Sequence, residues 1–203
     1  MKTYQTIIAA VAAGLTCSTS AFAALVPISV GQSQNPIGTT SVAGGASSLD
    51  TITSSLTGSD TGSFTATVYT HDSNNYFGLT GLTFVYSLSL TSGQVGKISL
   101  NDFFTGSVVL ANDAGVAASY GNFVSGGTVG FGYFNDFTGS TTLIVQTAAA
   151  GFDISNALFQ DGVQSDATSL APVPEASTVM AGALMLLPFG IGAVRSIRKD
   201  RTA

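Results

Sequence analysis

The chain has 203 residues, enough for one globular domain of about 150 residues between two apolar termini. Only 8% of the residues are charged, and between the termini Lys97 is the sole lysine or arginine, against nine aspartates from Asp50 to Asp166. A body this acidic repels phosphate backbones, which excludes the usual electrostatic basis of nucleic-acid binding.

The first 23 residues have the three parts of a secretory signal peptide. Lys2 supplies the positive start, an apolar run covers 7–15, and Ala21-Phe22-Ala23 forms a small-x-small cleavage site. The run is too short to cross a hydrocarbon core of about 30 Å as a permanent helix. We therefore expect a signal helix that signal peptidase removes, so that the mature chain begins at Ala24.

The only cysteine, Cys17, lies inside this leader. The residues before it, Leu15 and Thr16, depart from the pattern that precedes a lipidated cysteine, so we expect no lipid anchor. A mature chain without thiols has no disulfides and no thiolate metal sites.

Residues 24–63 are rich in Gly, Ser and Thr, and they predict an extended arm with one or two edge strands. A period-2 pattern begins at residue 64. It is clearest over 82–90, where the bulky side chains at even positions share one face. Shorter runs predict five further strands: 64–70, 97–100, 107–110, 128–134 and 141–147.

Turn-forming residues separate these runs, at 72–75, 91–93, 112–113, 125–127 and 135–136. No interior stretch keeps a helical apolar period over three turns. Six or more short strands at this spacing predict an all-β fold, namely an antiparallel β-sandwich or jelly-roll-like domain over 64–171.

Two segments, 101–110 and 135–143, share an Asn-Asp-Phe start and align with one residue inserted. One interpretation makes Asp102 and Asp136 paired ligands for a cation or a sugar. The interpretation we favour is a turn followed by a strand, in which the aspartate caps the turn and a phenylalanine enters the core.

Three features follow one another at the carboxyl end. The segment Val173-Pro174-Glu175-Ala176-Ser177-Thr178 precedes an apolar run over 179–194, and a basic cluster comes last: Arg195, Arg198, Lys199 and Arg201. As a helix the run reaches about 24 Å, just short of a comfortable span. We predict a transmembrane helix over 179–197, with the basic cluster as its cytoplasmic stop and the body outside.

This three-part order resembles the PEP-CTERM sorting tail of Gram-negative bacteria that secrete exopolysaccharide. The resemblance covers about the last thirty residues, and Ala176 stands where the family usually has a second proline. It implies cleavage near the motif by exosortase, a membrane-embedded cysteine protease that hands the body on to the cell surface or matrix. The alternative is a single-pass anchor that is never processed. The body is also similar to uncharacterised proteins of this class, at 81–86, 143–147 and 161–162, which implies no activity.

Catalytic chemistry has little support in the sequence. His71 is the sole histidine, and with Asp72 and Ser73 it suggests a nucleophile–base–orienter set, although sequence neighbours rarely point together. We favour a solvated turn histidine. Calcium has oxygen ligands available, but no EF-hand loop or Gly-Gly-x-Gly-x-Asp repeat is present.

Five tyrosines lie in the body, and each offers a face for sugar stacking. Tyr86 and Tyr133 alternate with core residues, which predicts structural roles. Tyr76 and Tyr120 fall in predicted loops, so these two are the candidate sugar contacts.

We therefore expect no catalytic, cofactor or metal site. The expected function is that of an exported, non-enzymatic cell-surface or extracellular-matrix protein, with exopolysaccharide as a candidate partner. The precursor would sit in the inner membrane with its body on the periplasmic side, where signal peptidase and an exosortase-type protease act on it. The alternatives are a calcium-dependent adhesin and a secreted hydrolase that uses Asp side chains and His71.

Overall fold

The computed structural model describes residues 25–35 and 37–173. The leader with Ala21, Ala23 and Ala24, and the tail from Pro174 through the basic cluster, lie outside the described residues, so the predictions made there stay predictions. Nowhere in the described ranges is there a helix with the length and apolar character that a membrane crossing requires.

Fourteen β-strands make up the described fold. In chain order they are β1 (Pro27–Ser29), β2 (Gln32–Gln34), β3 (Gly38–Thr39), β4 (Ser47–Ser55), β5 (Thr57–Gly58), β6 (Thr61–Thr70), β7 (Thr83–Ser92), β8 (Val95–Leu100), β9 (Ser107–Gly115), β10 (Tyr120–Val124), β11 (Thr128–Phe137), β12 (Ser140–Thr147), β13 (Phe152–Gln160) and β14 (Gln164–Pro172). All six predicted strands are confirmed by β6, β7, β8, β9, β11 and β12, although β7 begins at Thr83, one residue after the predicted start.

The strands form two seven-stranded sheets. Sheet 1 has the order β1-β9-β12-β7-β6-β4 with β3 beside β9, and sheet 2 has the order β2-β10-β11-β8-β13-β14-β5. Every pair is antiparallel except β3 with β9. The predicted all-β class is thus confirmed, and two antiparallel sheets are consistent with a β-sandwich.

The core lies between the sheets and follows from the period-2 pattern. Along β7, Phe84, Tyr86 and Leu88 are buried and point to the core, because alternate side chains of a strand lie on one face. Phe64 of sheet 1 packs edge-to-face on Phe159 of sheet 2, with ring centroids 5.2 Å apart. The strongest sequence pattern therefore marks the strand at the centre of the core.

Two predicted turns are wrong, since residues 112–113 lie inside β9 and 135–136 inside β11. Asn112 is buried in β9, and its side-chain amide exchanges two hydrogen bonds with the backbone of Ala118. Asp136 lies in a stretch where the register of β11 on β8 shifts. The pairs Asn112-Asp113 and Asn135-Asp136 thus lie where the register of a strand shifts. The predicted turns at 72–75 and 125–127 are confirmed.

The expected arm, 24–63, carries more strand than the one or two edge strands we expected. Its described residues include β1 to β5 and the start of β6. They reach both edges of the fold, since β1 pairs with β9 and β2 with β10, while β4 pairs with β6 and β5 with β14. This stretch therefore contributes edge strands to both sheets.

Candidate functional site

The possible triad of His71, Asp72 and Ser73 is not assembled. Asp72 is fully buried, and its carboxylate accepts hydrogen bonds from the amides of Ala43 and Asn74 and from the hydroxyl of Thr83. The partners of the Asp72 carboxylate therefore lie in the turn at 72–75, in the segment before β4 and in β7, and the imidazole of His71 is not among them. His71 is exposed in a left-handed conformation with a φ of 57°. The structure therefore does not join Asp72 to His71 as the orienting group of a triad, and Asp72 instead holds its turn. The hydrolase alternative itself stays a prediction.

The paired-ligand interpretation of Asp102 and Asp136 is also wrong. The register places Leu100 of β8 opposite Val129 but Val95 opposite Phe137, so the two aspartates lie at opposite ends of β8. The favoured interpretation holds for the phenylalanines, because Phe103 and Phe137 are both buried. Within 25–35 and 37–173, no three His, Cys, Asp or Glu side chains are grouped in a way that could hold a metal ion.

Two tyrosines are structural, as predicted. Tyr86 is buried and its hydroxyl donates to the Leu170 carbonyl of the opposite sheet at 2.6 Å. The Tyr133 hydroxyl donates to Thr141 Oγ1 at 3.2 Å. Burial raises the pKa of Tyr86 well above its usual value and raises the pKa of Tyr133 to about 12.

Tyr76 lies in a loop, as predicted, and is about half exposed. Gln146 of β12 fixes this loop on the outer face of sheet 1. Its side chain accepts a hydrogen bond from the Tyr76 amide at 3.0 Å and donates one to the Asn74 carbonyl at 2.8 Å. Tyr76 is therefore held in place, with its ring edge-to-face against Phe77.

The loop predicted for Tyr120 is wrong, because this residue begins β10 directly opposite Gly132 of β11. Its ring passes over Gly132 so closely that a Cβ at that position would collide with ring carbon Cζ. Gly130 has the same role for Asn122. The two glycines thus open a shallow channel on the outer face of β11, and side chains from β10 occupy it.

Tyr120 has an exposed aromatic neighbour, Phe134, whose side chain is 72% accessible. Their ring centroids are 6.2 Å apart, with 38° between the ring planes. Lys97 of β8 is paired with Gly132 and comes near Gly130 from the other side. We call this set, Tyr120, Phe134, Asn122 and Lys97, the aromatic platform.

Of these four residues, the sequence marks only Tyr120 as a candidate sugar contact. Phe134 falls at the end of the predicted strand 128–134, and nothing in the alternation distinguishes an outward ring from a core ring when neighbouring positions are also aromatic. The alternate glycines at 130 and 132 were the available signal, because they mark a strand face on which something else lies closely.

A second feature is an open cleft of about 620 Å³ at one end of the sandwich. Its lining is mainly apolar: Val30, Phe103, Phe104, Ala148, Ala149 and Val173. A smaller cleft of about 190 Å³ adjoins it and includes Ile154, with Asp102 and Asp153. Phe104 and Val173 line both clefts, so they form one continuous surface, which we call the apolar end.

Val173 is the last described residue and the first of the predicted sorting motif. Its amide donates to the Gly151 carbonyl at 3.1 Å, which fixes the exit of the chain at the apolar end. Comparisons with models of known protein families, with curated proteins and with solved structures gave no match to this chain.

Proposed function

We propose that this chain is the precursor of an exported, non-enzymatic protein of the cell surface or extracellular matrix, sorted by a PEP-CTERM-like tail. The observation that carries the proposal is the order of the termini, a leader over 1–23 and a motif, apolar run and basic cluster over 173–203. The position of β14 supports it. This strand ends at Pro172, so removal of the tail from Pro174 onwards takes no described strand away.

The architecture we propose for the precursor is a β-sandwich with a signal helix before it and a transmembrane helix over 179–197 behind it. The helix would hold the body on the periplasmic side until an exosortase-type protease cuts near Pro174 and Glu175. Aspartates give the body no affinity for an anionic membrane surface, so release would follow cleavage.

Contact with exopolysaccharide is the role we propose for the body, through the aromatic platform. Aromatic rings such as those of Tyr120 and Phe134 offer apolar faces for the C–H groups of a sugar ring, while Asn122 supplies amide donors and acceptors. Lys97 is the only lysine or arginine of the described residues and lies beside them. The ammonium group of Lys97 would attract the carboxylates of an acidic polysaccharide to this surface.

The intact mass of the protein recovered from the medium or cell surface tests the sorting proposal. We expect a molecule that begins at Ala24 and lacks the basic cluster, because both proteases have then acted. A Glu175→Ala variant should remain in the membrane fraction at the larger mass. A recovered extracellular molecule that still carries Arg195 to Ala203 would contradict the proposal.

Affinity electrophoresis in gels that contain the producer's own exopolysaccharide tests the platform. We expect Phe134→Ser to reduce retention, with a loss of about 0.5–1.5 kcal/mol for one aromatic contact. Phe134 is mostly exposed, so its replacement leaves the core intact. The matched control is Leu79→Ser, an exposed apolar residue that is 53% accessible in the loop before β7 and should migrate like the parent. Equal effects of both changes would argue against the platform.

A further inference from the structure

The apolar end exposes large hydrophobic side chains from three different segments. Val30 lies between β1 and β2 and is 49% accessible, Phe104 lies between β8 and β9 and is 51% accessible, and Ile154 in β13 is 66% accessible. Soluble surfaces usually scatter such residues singly. Here the three adjoin one pair of clefts, together with Val173.

The length of the connecting segment limits the distance between the apolar end and the apolar run over 179–194. Five residues, 174–178, separate Val173 from Val179. Fully extended, this connection spans about 20 Å at most, whereas nine-residue strands such as β13 and β14 are about 30 Å long. An anchored body therefore keeps the apolar end near the membrane, and the loop between β13 and β14, one strand length away, is free to lie far from it.

A short tether also strengthens a weak contact. It converts the approach of the body to the bilayer into an intramolecular event, for which short linkers give effective concentrations in the millimolar range. Three exposed apolar side chains are too few for independent membrane binding, but the tether raises the occupancy of the contact that they make with the bilayer.

The charges at the apolar end limit the kind of membrane contact that it can make. The carboxylates at this end belong to Asp102 and Asp153, and Asp102 accepts a hydrogen bond from Ser155. The described residues place no lysine or arginine here, since Lys97 lies on the outer face of sheet 2. Attraction to anionic head groups is therefore absent, and the contact must be apolar.

We propose that the apolar end rests on the lipid surface while the tail anchors the precursor, with Val30, Phe104 and Ile154 inserted at the boundary of head groups and acyl chains. This inference rests on the proposed anchoring of the tail. Its consequence is a defined orientation, in which the strands of the sandwich rise from the membrane and the sorting motif at residues 173–178 is held at the bilayer surface.

The test uses the full mature chain, 24–203, reconstituted in phosphatidylcholine vesicles that contain brominated lipid. Cys17 leaves with the leader, so one added cysteine carries a single environment-sensitive fluorophore. The label is placed at Phe104→Cys or Ile154→Cys. The matched control is Val163→Cys, which is 55% accessible in the loop between β13 and β14 at the far end.

We expect labels at 104 and 154 to be quenched by the brominated lipid and the label at 163 to remain unquenched. If Phe104→Cys fails to fold, Ile154→Cys still tests contact of the apolar end with lipid, because Ile154 is 66% accessible and contributes little to the core. Flotation of the vesicles reports anchoring by the tail separately, before any fluorescence is measured.

Four results would overturn the inference. Protein that floats with all labels unquenched shows an anchored body that stands clear of the lipid, and equal quenching at 163 shows no preferred end. A blue-shifted but unquenched label at 104 shows a cleft filled by protein, either the tail or a second copy. Protein that fails to float removes the proposed anchor as well, and so distinguishes the two failures.

Discussion

At the scale of single residues, Tyr133 and Tyr86 each combine an aromatic core contact with one hydroxyl hydrogen bond. The Tyr133 hydroxyl lies in a relay, since Thr141, which accepts from it, donates in turn to the Val116 carbonyl at 2.7 Å. Burial disfavours the phenolate more than this hydrogen bond favours it, and the pKa of Tyr133 rises to about 12.

The raised pKa predicts loss of stability at high pH. The folded state holds the Tyr133 proton more tightly than the unfolded chain, so the full contribution is present below about pH 10 and disappears between about 10 and 12. We expect on the order of 2 kcal/mol to be lost across that window, measured by urea unfolding at successive pH values. Tyr133→Phe should make the decline less steep, with the remainder coming from buried Tyr86, whose pKa is also raised. The same slope in both proteins would contradict the assignment.

Sequence predicted the structural tyrosines but not the structural aspartates. Tyr86 and Tyr133 stand within apolar alternations, which are local and visible. Asp60 and Asp72 were indistinguishable from exposed turn aspartates, because their partners come from distant positions. Asp72 accepts from Ala43, 29 residues earlier, and Asp60 pairs with Ser165, 105 residues later.

At the scale of elements, the turn between β7 and β8 shows how a glycine supports a contact between sheets. Asp60 and Ser165 exchange two hydrogen bonds, from the Asp60 amide at 3.0 Å and to the Asp60 carboxylate at 2.8 Å. Gly93, with a φ of 96°, packs against that carboxylate, and a Cβ there would collide with Asp60 Oδ1. The turn and the buried pair therefore depend on each other.

Gly93→Ala should lower stability by more than its backbone strain alone. A left-handed conformation costs a non-glycine residue roughly 1–2 kcal/mol, and displacement of buried Asp60 adds the loss of its hydrogen bonds, on the order of 1–3 kcal/mol. The control is Gly139→Ala, which has a φ of 94° but open space around it. Equal losses in chemical denaturation would show that Asp60 plays no part.

Several of the strands that sequence does not predict have few bulky inward residues in succession. In β4 most side chains are exposed, and its outward threonines bond across to β6, Thr53 to Thr65 at 2.9 Å and Thr51 to Thr67 at 3.2 Å. Such a strand has no apolar alternation to detect. In β13 and β14 small inward residues, Ala157 and Ala167, weaken the same signal.

At the scale of the whole molecule, residues 25–63 belong to the body and not to a separate arm. Ile28 of β1 and Ile37 ahead of β3 are buried in the core cluster, although both come from the stretch with few large apolar residues. The isolated isoleucines give no periodic signal, yet they cover the core where sheets 1 and 2 meet at one edge.

Ile28→Ala should therefore behave as a core truncation. We expect a loss of about 2–4 kcal/mol in the free energy of unfolding, because a buried isoleucine leaves a cavity. Val26→Ala, two residues earlier and half exposed, is the matched control and should change little. An unchanged thermal midpoint for Ile28→Ala would mean that residues near β1 detach without consequence for the core.

Export and sorting rest on terminal patterns that sequence alone supplies, since they lie outside the described residues. The platform needed the structure, because Phe134 and Lys97 join Tyr120 only through the pairing of β10, β11 and β8. Local patterns thus predicted six of the strands that build the core, and long-range register determined which outward side chains meet.

Proteases that cut after lysine or arginine meet a single target bond within 25–173, the one that follows Lys97. This residue is in β8, which is hydrogen-bonded to β11 on one side and to β13 on the other. Cleavage there requires sub-global opening of sheet 2, because a protease needs a detached, extended segment. If the body is released as proposed, it should therefore resist cleavage by trypsin-like enzymes.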